Sequence, residues 1–254
     1  MAKAVAKRKP TEVANLDDEM AKYKGMGTSQ AADDNLTPFA YILQDNSPQV
    51  KKKGSEYIDG AEAGDIWLKN AADEIAKGEE GFVFQPCNWY RAYVEWDEDR
   101  NFVASYDYDD GPPSDCEKDE ENPYKLRRPN GNDVVDTRYL VGNVVRDDGL
   151  FLPYVIPFKS TGHAVARGLS GKCNQKLDKD GDIQAAFCNM YRFKTKFVSK
   201  AKGDYYLFDI SDERPCKSKE ELDRGYAIFK AFEKGEAKVG VGKEVDESED
   251  DDNF

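Results

Sequence analysis

The sequence predicts a mainly β protein of the α+β class: a twisted antiparallel sheet or small barrel with a C-terminal helix. Several short apolar segments with β-type alternation follow one another closely, helical patterns are few, and one long acidic segment interrupts the series. Hydrophobic residues make up 39% of the 254 residues. The 13 Phe, 14 Tyr and 3 Trp predict an interior rich in aromatic rings.

The first long strand is predicted in "FVFQPCNWYRAYVEW", at 82–96. Because side chains alternate between the two sides of a strand, this segment has two different faces. One face carries Tyr90, Ala92, Val94 and Trp96, and the other carries Trp89, Arg91, Tyr93 and Glu95.

Further strands are predicted downstream. "VVDTRYLVGNVV" (134–145) is typical of a half-buried strand, whereas "LFLPYVIPF" (150–158) contains two prolines and is expected at a sheet edge or in irregular structure. "AAFCNMYRFKTKFV" (185–198) and "YYLFDI" (205–210) are separated by the turn residues "KAKGD" and predict a β-hairpin.

The clearest helical pattern is "SKEELDRGYAIFKAFEKG", at 218–235. Ser218 and Glu221 have the spacing of a capping box, and Gly235 stands where a helix C′ residue belongs. Apolar residues recur at helical spacing and predict one apolar face: Leu222, Tyr226 and Phe229. "STGHAVARGL" predicts one or two helical turns before the hairpin.

The chain is expected to contain a flexible segment at 1–34, one folded domain at 35–236 and a disordered acidic tail at 237–254. No segment approaches the roughly 18 apolar residues of a membrane span, so no membrane association is expected. The five cysteines are odd in number and contain no C-x-x-C pair. Reduced thiols and a cytoplasmic location are therefore expected.

The net charge of −13 is distributed unevenly. Residues 97–122 contain eleven acids and two bases, and residues 244–254 contain seven acids and no base. Residues 123–203 contain fifteen Lys and Arg against seven acids, a net charge of +8. Because phosphate binding depends on local charge, the acidic total does not exclude a nucleic-acid partner.

Enzyme motifs are present only in incomplete form. "ARGLSGKC" resembles a phosphate-binding loop but has Cys173 where Ser or Thr is required, and "DKDGDIQAAFCN" departs from a calcium loop at Ile183 and Asn189. His163 is the only histidine and has no evident nucleophilic partner. We therefore expect a protein that is not an enzyme and that needs no cofactor or metal.

A binding function is indicated more strongly. In "FCNMYRFKTKF" alternation places Arg192, Lys194 and Lys196 together on one face, where they repel one another unless an anion lies across them. A charged edge strand that avoids aggregation is the alternative. The same basic segment also contains Arg127, Arg128, Arg138, Lys159 and Arg167.

Aromatic residues accompany these cations. Trp89 and Tyr93 flank Arg91 on one face of the first strand, although core packing of both rings is the alternative. A cationic groove with exposed rings is typical of single-stranded nucleic-acid binding, because phosphates contact Lys and Arg while bases stack on the rings. The sequence therefore predicts a DNA-binding surface composed of these residues.

The chain ends in "DESEDDDNF", an acidic run closed by a phenylalanine. This ending resembles the C-terminal tips of single-stranded DNA-binding proteins from bacteria and phages, most closely the phage type. The resemblance implies an OB-fold-like core and a disordered acidic tail that can fold back onto the basic groove. It also implies that the tail docks replication and recombination proteins, such as a polymerase, helicase or recombinase, through Asp250, Asp251, Asp252 and Phe254.

The expected function is therefore coating and protection of single-stranded DNA in replication, recombination and repair, in the host cytoplasm if the chain is phage-encoded. One alternative is a phage structural or regulatory protein whose acidic segments contact another protein. A further alternative is a metal-dependent nuclease that uses the acids between Asp97 and Asp110.

Overall fold

The structure is a computed structural model that describes residues 36–69, 74–119, 125–201 and 203–241. These residues contain thirteen β-strands, two α-helices and two 3-10 helices, at Pro48–Val50 and Ala186–Cys188. The strands are β1 (Leu36–Thr37), β2 (Ala40–Ile42), β3 (Ile66–Leu68), β4 (Glu74–Ala76), β5 (Phe82–Trp96), β6 (Phe102–Asp107), β7 (Glu117–Lys118), β8 (Lys125–Arg127), β9 (Asp133–Val145), β10 (Phe151–Phe158), β11 (Asn189–Lys200), β12 (Gly203–Pro215) and β13 (Lys238–Val239). The α-helices are α1 (Gly162–Asn174) and α2 (Lys219–Glu233).

The centre of the fold is the antiparallel pair β5 and β9. Its register runs from Val83 opposite Val145 to Trp96 opposite Asp133, with a bulge between Pro86 and Asn88. β11 and β6 pair with opposite ends of β5, while β10 and β8 pair with opposite ends of β9. The result is a strongly curled antiparallel half-barrel, so the mainly β prediction is confirmed.

Both faces of the central pair are covered. On one face α1 packs through Leu169 onto a cluster of β-strand residues, namely Phe84, Leu140, Ile156, Phe158 and Phe193. On the other face lie Ala92, Val94, Trp96, Tyr139 and Val141, together with residues of β2 and β3. β2, β3 and β4 form a separate antiparallel sheet, and β1 pairs in parallel with β13. The predicted boundary between the folded domain and the acidic tail, after residue 236, therefore lies just before β13, which is paired with β1.

Several predicted elements are confirmed in detail. β10 contains both prolines and pairs along its length with β9, while among the described residues its other side has one isolated bridge, from Val155 to Phe39, as expected near a sheet edge. β11 and β12 form the predicted hairpin, with Lys200 opposite Gly203 at its tip. The acidic "DKDGD" segment is a tight turn in which the Asp178 carboxylate accepts from the backbone N–H of Asp180 and Asp182.

The first α-helix is longer than one or two turns. α1 contains 13 residues and includes all of "ARGLSGKC", so this segment is helical and does not form a phosphate-binding loop. The sequence underestimates α1 because three glycines and a serine weaken its helix propensity. Tertiary packing compensates, since Ala166, Leu169 and Cys173 are buried.

The second helix begins and ends where predicted but presents a different face to the core. Ser218 Oγ accepts from Glu221 N–H at 3.2 Å, and Gly235 has a φ of 70° after the last turn. The predicted apolar face is largely exposed: Leu222 and Tyr226 are 36% and 49% exposed, and Phe229 is half-buried. The buried residue of α2 is Gly225, whose lack of a side chain allows close approach to the sheet.

A buried glutamine connects α2 to the sheet. Gln85 on β5 has 0% exposure, and its Nε2 donates to the carbonyl oxygens of Phe187 and Glu221, both at 2.9 Å. Its Oε1 accepts from Asn143 Nδ2 on β9 at 3.0 Å. These bonds satisfy a buried amide and fix the start of α2 against the central strand pair.

A second glutamine covers the outer edge of β12. Gln44 Oε1 accepts from the Tyr206 backbone N–H at 2.8 Å, and Gln44 Nε2 donates to the Tyr206 carbonyl oxygen at 3.1 Å. The side-chain amide therefore pairs with β12 as the backbone of an adjacent strand would. Among the described residues no helix is both long and apolar enough to span a bilayer.

Candidate nucleic-acid interface

Trp89, Arg91 and Tyr93 lie on the face of β5 opposite to the buried Ala92 and Val94. This is the division of faces that the sequence predicts. All three side chains are half-buried. The Trp89 indole packs near Phe158, with ring centroids 6.2 Å apart, so this ring is in contact with the core.

Arg91 forms a bidentate ion pair with Asp136. Its Nε donates to Asp136 Oδ1 at 2.8 Å, and its Nη2 donates to Asp136 Oδ2. The guanidinium also lies 3.4 Å from the centroid of the Tyr108 ring, which in turn stacks on Tyr93. The Asp136 hydrogen bond raises the pKa of Arg91 above its ordinary value. Arg91 is therefore fixed in position by one carboxylate and one ring.

Arg138 lies directly opposite Arg91, on β9. Its Nε is buried and has no hydrogen-bond partner among the described residues. Within those residues no carboxylate oxygen lies within 4 Å of its guanidinium. Burial lowers the pKa of Arg138, and the charges of Arg91 and Arg167 lower it further. The Arg138 guanidinium is therefore a cation whose Nε–H donates to no described residue and which lies near two other arginines.

α1 contributes two further basic side chains, His163 and Arg167, one helical turn apart. His163 Nε2 lies 2.9 Å from the Asp136 carbonyl oxygen, to which it donates, and its Nδ1 is 3.8 Å from Asp136 Oδ2. Burial lowers the pKa of His163, which favours the neutral ring. Arg167 is exposed.

We name these five residues the Arg138 cluster: Arg91, Asp136, Arg138, His163 and Arg167. The cluster contains three guanidinium groups and one carboxylate, and that carboxylate is engaged by Arg91. With a neutral histidine the five side chains have a net charge of +2. Such a surface attracts an external anion.

The predicted cations Arg127 and Arg128 are paired with acids of their own chain. Arg127 Nε is 3.3 Å from Asp133 Oδ1. Arg128 donates to Glu95 and to Asp115, both at 2.9 Å. Part of the acidic 97–122 segment therefore neutralises the basic segment that follows it. Lys159, also predicted at the surface, places its amine 4.8 Å from the Trp96 ring centroid.

The cations of β11 face the acids of β12. Arg192 Nε donates to Glu213 at 2.8 Å, and Lys196 Nζ is 3.4 Å from Asp209. Lys194 is directly opposite Asp209 in the register. The negative charge that this row of cations requires is thus supplied within the hairpin. These cross-strand ion pairs leave Arg192 and Lys196 less available to an external phosphate than Arg138, so the prediction that the β11 cations form the DNA-binding row is weakened.

The structure brings together five of the predicted site residues: Trp89, Arg91, Tyr93, Arg138 and Arg167. Sequence reasoning missed Asp136 and Tyr108, and it considered His163 only as a possible catalytic residue. The i, i+4 spacing of His163 and Arg167 was the available signal, since it places both on one helix face. The tail residues Asp250, Asp251, Asp252 and Phe254 lie outside the described residues.

Within the described residues, no three His, Cys, Asp or Glu side chains are arranged to hold a metal ion.

Comparison with known proteins gives one match. The family model described as Pam3 phage gp34-like protein matches residues 7–238, which is most of the chain. No curated protein and no solved structure matches the chain significantly. On the extent of the family match, the chain belongs to the Pam3 phage gp34-like family.

Proposed function

We propose that this phage protein binds single-stranded DNA without catalysing a reaction, and that the Arg138 cluster contacts the phosphates. The observation that carries the proposal is the Arg138 guanidinium, whose buried Nε has no partner among the described residues. A buried donor without an acceptor costs about 1–3 kcal/mol, so a shift of the Arg138 side chain that lets a phosphate oxygen accept from this N–H would be favourable. Phosphate contacts of this kind supply most of the affinity in non-specific DNA binding.

The adjacent rings favour a single strand over a duplex. Tyr93 and Tyr108 stack with centroids 5.2 Å apart beside Arg91, and both residues are half-buried. Unpaired bases can stack on such rings and gain about 1–3 kcal/mol each, whereas the bases of a duplex are already stacked on one another. Cations and rings on one sheet face suit binding with little sequence preference.

The proposal extends to replication, recombination and repair through the tail. By its resemblance to phage single-stranded DNA-binding proteins, the acidic tip with Phe254 would dock a polymerase, helicase or recombinase. Deleting residues 244–254 should then tighten DNA binding, since seven acids that compete with DNA are removed. A truncated protein that binds DNA no better would contradict the competition.

Fluorescence anisotropy with labelled single-stranded and duplex 20-mers tests the proposal. Arg138→Gln should weaken single-strand binding about tenfold to a hundredfold, because charge-assisted hydrogen bonds contribute about 1.5–3 kcal/mol. It should also reduce the slope of log affinity against log salt by about 1. The matched control is Arg192→Gln, which removes the same charge from a residue already paired with Glu213.

The proposal fails if wild-type protein does not bind single strands, or if both variants lose affinity equally. The same oligonucleotides incubated with Mg²⁺ test the nuclease alternative, which requires their degradation.

A protein-interaction role has an observation of its own. Tyr226 is 49% exposed on α2, and its ring lies near Phe187 and Phe229, with centroids 6.2 and 6.5 Å away. If wild-type protein bound no oligonucleotide, this aromatic surface would make a phage structural or regulatory role the better proposal.

A further inference from the structure

The charge of the Arg138 cluster exceeds what an internal DNA phosphate requires. Three arginines and one aspartate leave a net charge of +2 with His163 neutral. A phosphodiester within a strand carries one negative charge. A phosphomonoester at a strand end carries about −1.5 to −2 at pH 7, since its second pKa is about 6. The excess charge of the cluster therefore matches a terminal phosphate better than an internal one.

The available donors agree with this charge count. The donors of Arg138 are its buried Nε and the two terminal nitrogens of its planar guanidinium group. Arg167 is exposed on α1. A phosphomonoester presents three oxygens as strong acceptors, whereas a phosphodiester presents only two non-bridging ones. Arg91 is already held by Asp136 and contributes its charge at a fixed distance.

Elements on two sides bound the site. On one side His163 of α1 contacts Asp136 through its ring. On the other side the Tyr108 ring lies over Arg91 and stacks on Tyr93. A base attached to a phosphate at Arg138 could stack beside Tyr93.

We propose that the Arg138 cluster holds a phosphomonoester dianion at the end of a single DNA strand in preference to an internal phosphodiester. This inference rests on the proposed function and specifies the ligand of the same site. A strand end could supply the group at its 5′ or its 3′ terminus, and free phosphate has similar chemistry. The experiment separates these three sources.

The test compares three 12-mers of one sequence by competition anisotropy: 5′-phosphorylated, 3′-phosphorylated and unphosphorylated. Inorganic phosphate serves as a fourth competitor. At least one phosphorylated strand should bind ten times more tightly than the unphosphorylated strand. Arg138→Gln should reduce that ratio to near one, while Arg192→Gln should preserve it. Inorganic phosphate should compete only at concentrations far above those of the phosphorylated strand.

A second variant keeps the test decisive if Arg138→Gln alters folding. Arg167 is exposed, so Arg167→Gln should leave thermal unfolding unchanged and still lower the preference for the phosphorylated end severalfold. Unchanged preference in Arg167→Gln, with Arg138→Gln misfolded, would overturn the inference.

Three further outcomes separate this inference from the proposed function. Equal binding of all three strands, lost in Arg138→Gln, would overturn the preference for strand ends and leave single-strand binding intact. Failure of every strand to bind would overturn both. Inorganic phosphate competing as well as the phosphorylated strand would overturn the assignment to a strand end.

Discussion

Arg91 and Arg138 face each other across the central strand pair. Of these two arginines, only Arg91 has a carboxylate partner among the described residues. Asp136 lies two residues before Arg138 on the same strand, and its carboxylate is engaged by Arg91. The like charge of Arg91 and its own burial both disfavour the charged form of Arg138. Two arginines in register therefore differ: Arg91 is held by Asp136, whereas the Arg138 Nε has no hydrogen-bond partner among the described residues.

Asp136→Asn should change stability and affinity in opposite directions. Removing the carboxylate leaves Arg91 without its ion pair, so the free energy of unfolding should fall by about 2 kcal/mol. The cluster gains a positive charge, so single-strand affinity should rise severalfold at low salt and converge with wild type at high salt. Urea denaturation and anisotropy measure the two effects. Asp180→Asn makes the same charge change in a distant turn and should alter neither.

The pH dependence of stability should report His163. Burial lowers its pKa below the ordinary 6.5, with Asp136 opposing part of the effect, so the unfolded chain binds a proton more readily than the folded chain. The histidine therefore contributes full stability above pH 6.5, and this contribution is lost as pH falls through the folded pKa. A bound phosphate should raise the pKa of His163 and tighten DNA binding at lower pH.

NMR can follow this titration directly, because the chain contains one histidine. His163→Gln should remove both pH effects. A wild-type pKa at or above 6.5 without DNA, or unchanged pH profiles in the variant, would contradict the assignment.

Gln85→Leu should destabilise the fold by about 3 kcal/mol. The substitution removes the acceptor of Asn143 Nδ2 and the donor to the carbonyl oxygens of Phe187 and Glu221, all in a buried setting. Chemical denaturation gives the magnitude, and hydrogen exchange should show earlier opening at the start of α2. The exposed Gln175→Leu is the control and should leave both measurements unchanged; a loss below 1 kcal/mol for Gln85→Leu would argue against a structural role for this network.

Two glycine-to-alanine substitutions, one in each α-helix, should change the stability of the fold in opposite directions. A Cβ at Gly225 would lie 2.6 Å from Phe187 Cβ and 2.8 Å from Gln85 Nε2. The resulting overpacking, about 1–3 kcal/mol, should exceed the helix-propensity gain of about 1 kcal/mol. A Cβ at Gly168 of α1 would meet nothing within 4 Å, so Gly168→Ala should stabilise by roughly 0.5–1 kcal/mol. Thermal unfolding compares the two, and stabilisation by both changes would contradict the close packing of α2.

The strands could be predicted from sequence because alternation is a local property. The face of α2 could not, since the exposed stripe containing Tyr226 is apolar while the buried position is Gly225, which carries no hydrophobic signal. The concentration of positive charge was also predictable, but its neutralisation was not. Arg128 and Glu95 are 33 residues apart and Arg192 and Glu213 are 21 apart, so only the fold decides which cations remain available.

Gln44 has a consequence for self-assembly. β12 is 13 residues long and ends the path of the main sheet, a position where strands of separate molecules can join into fibres. At Tyr206 both the donor and the acceptor that an incoming strand would need are already bound to the Gln44 amide. Lateral growth at this position would have to break two hydrogen bonds first, so one side chain from the loop that follows β2 opposes polymerisation through β12.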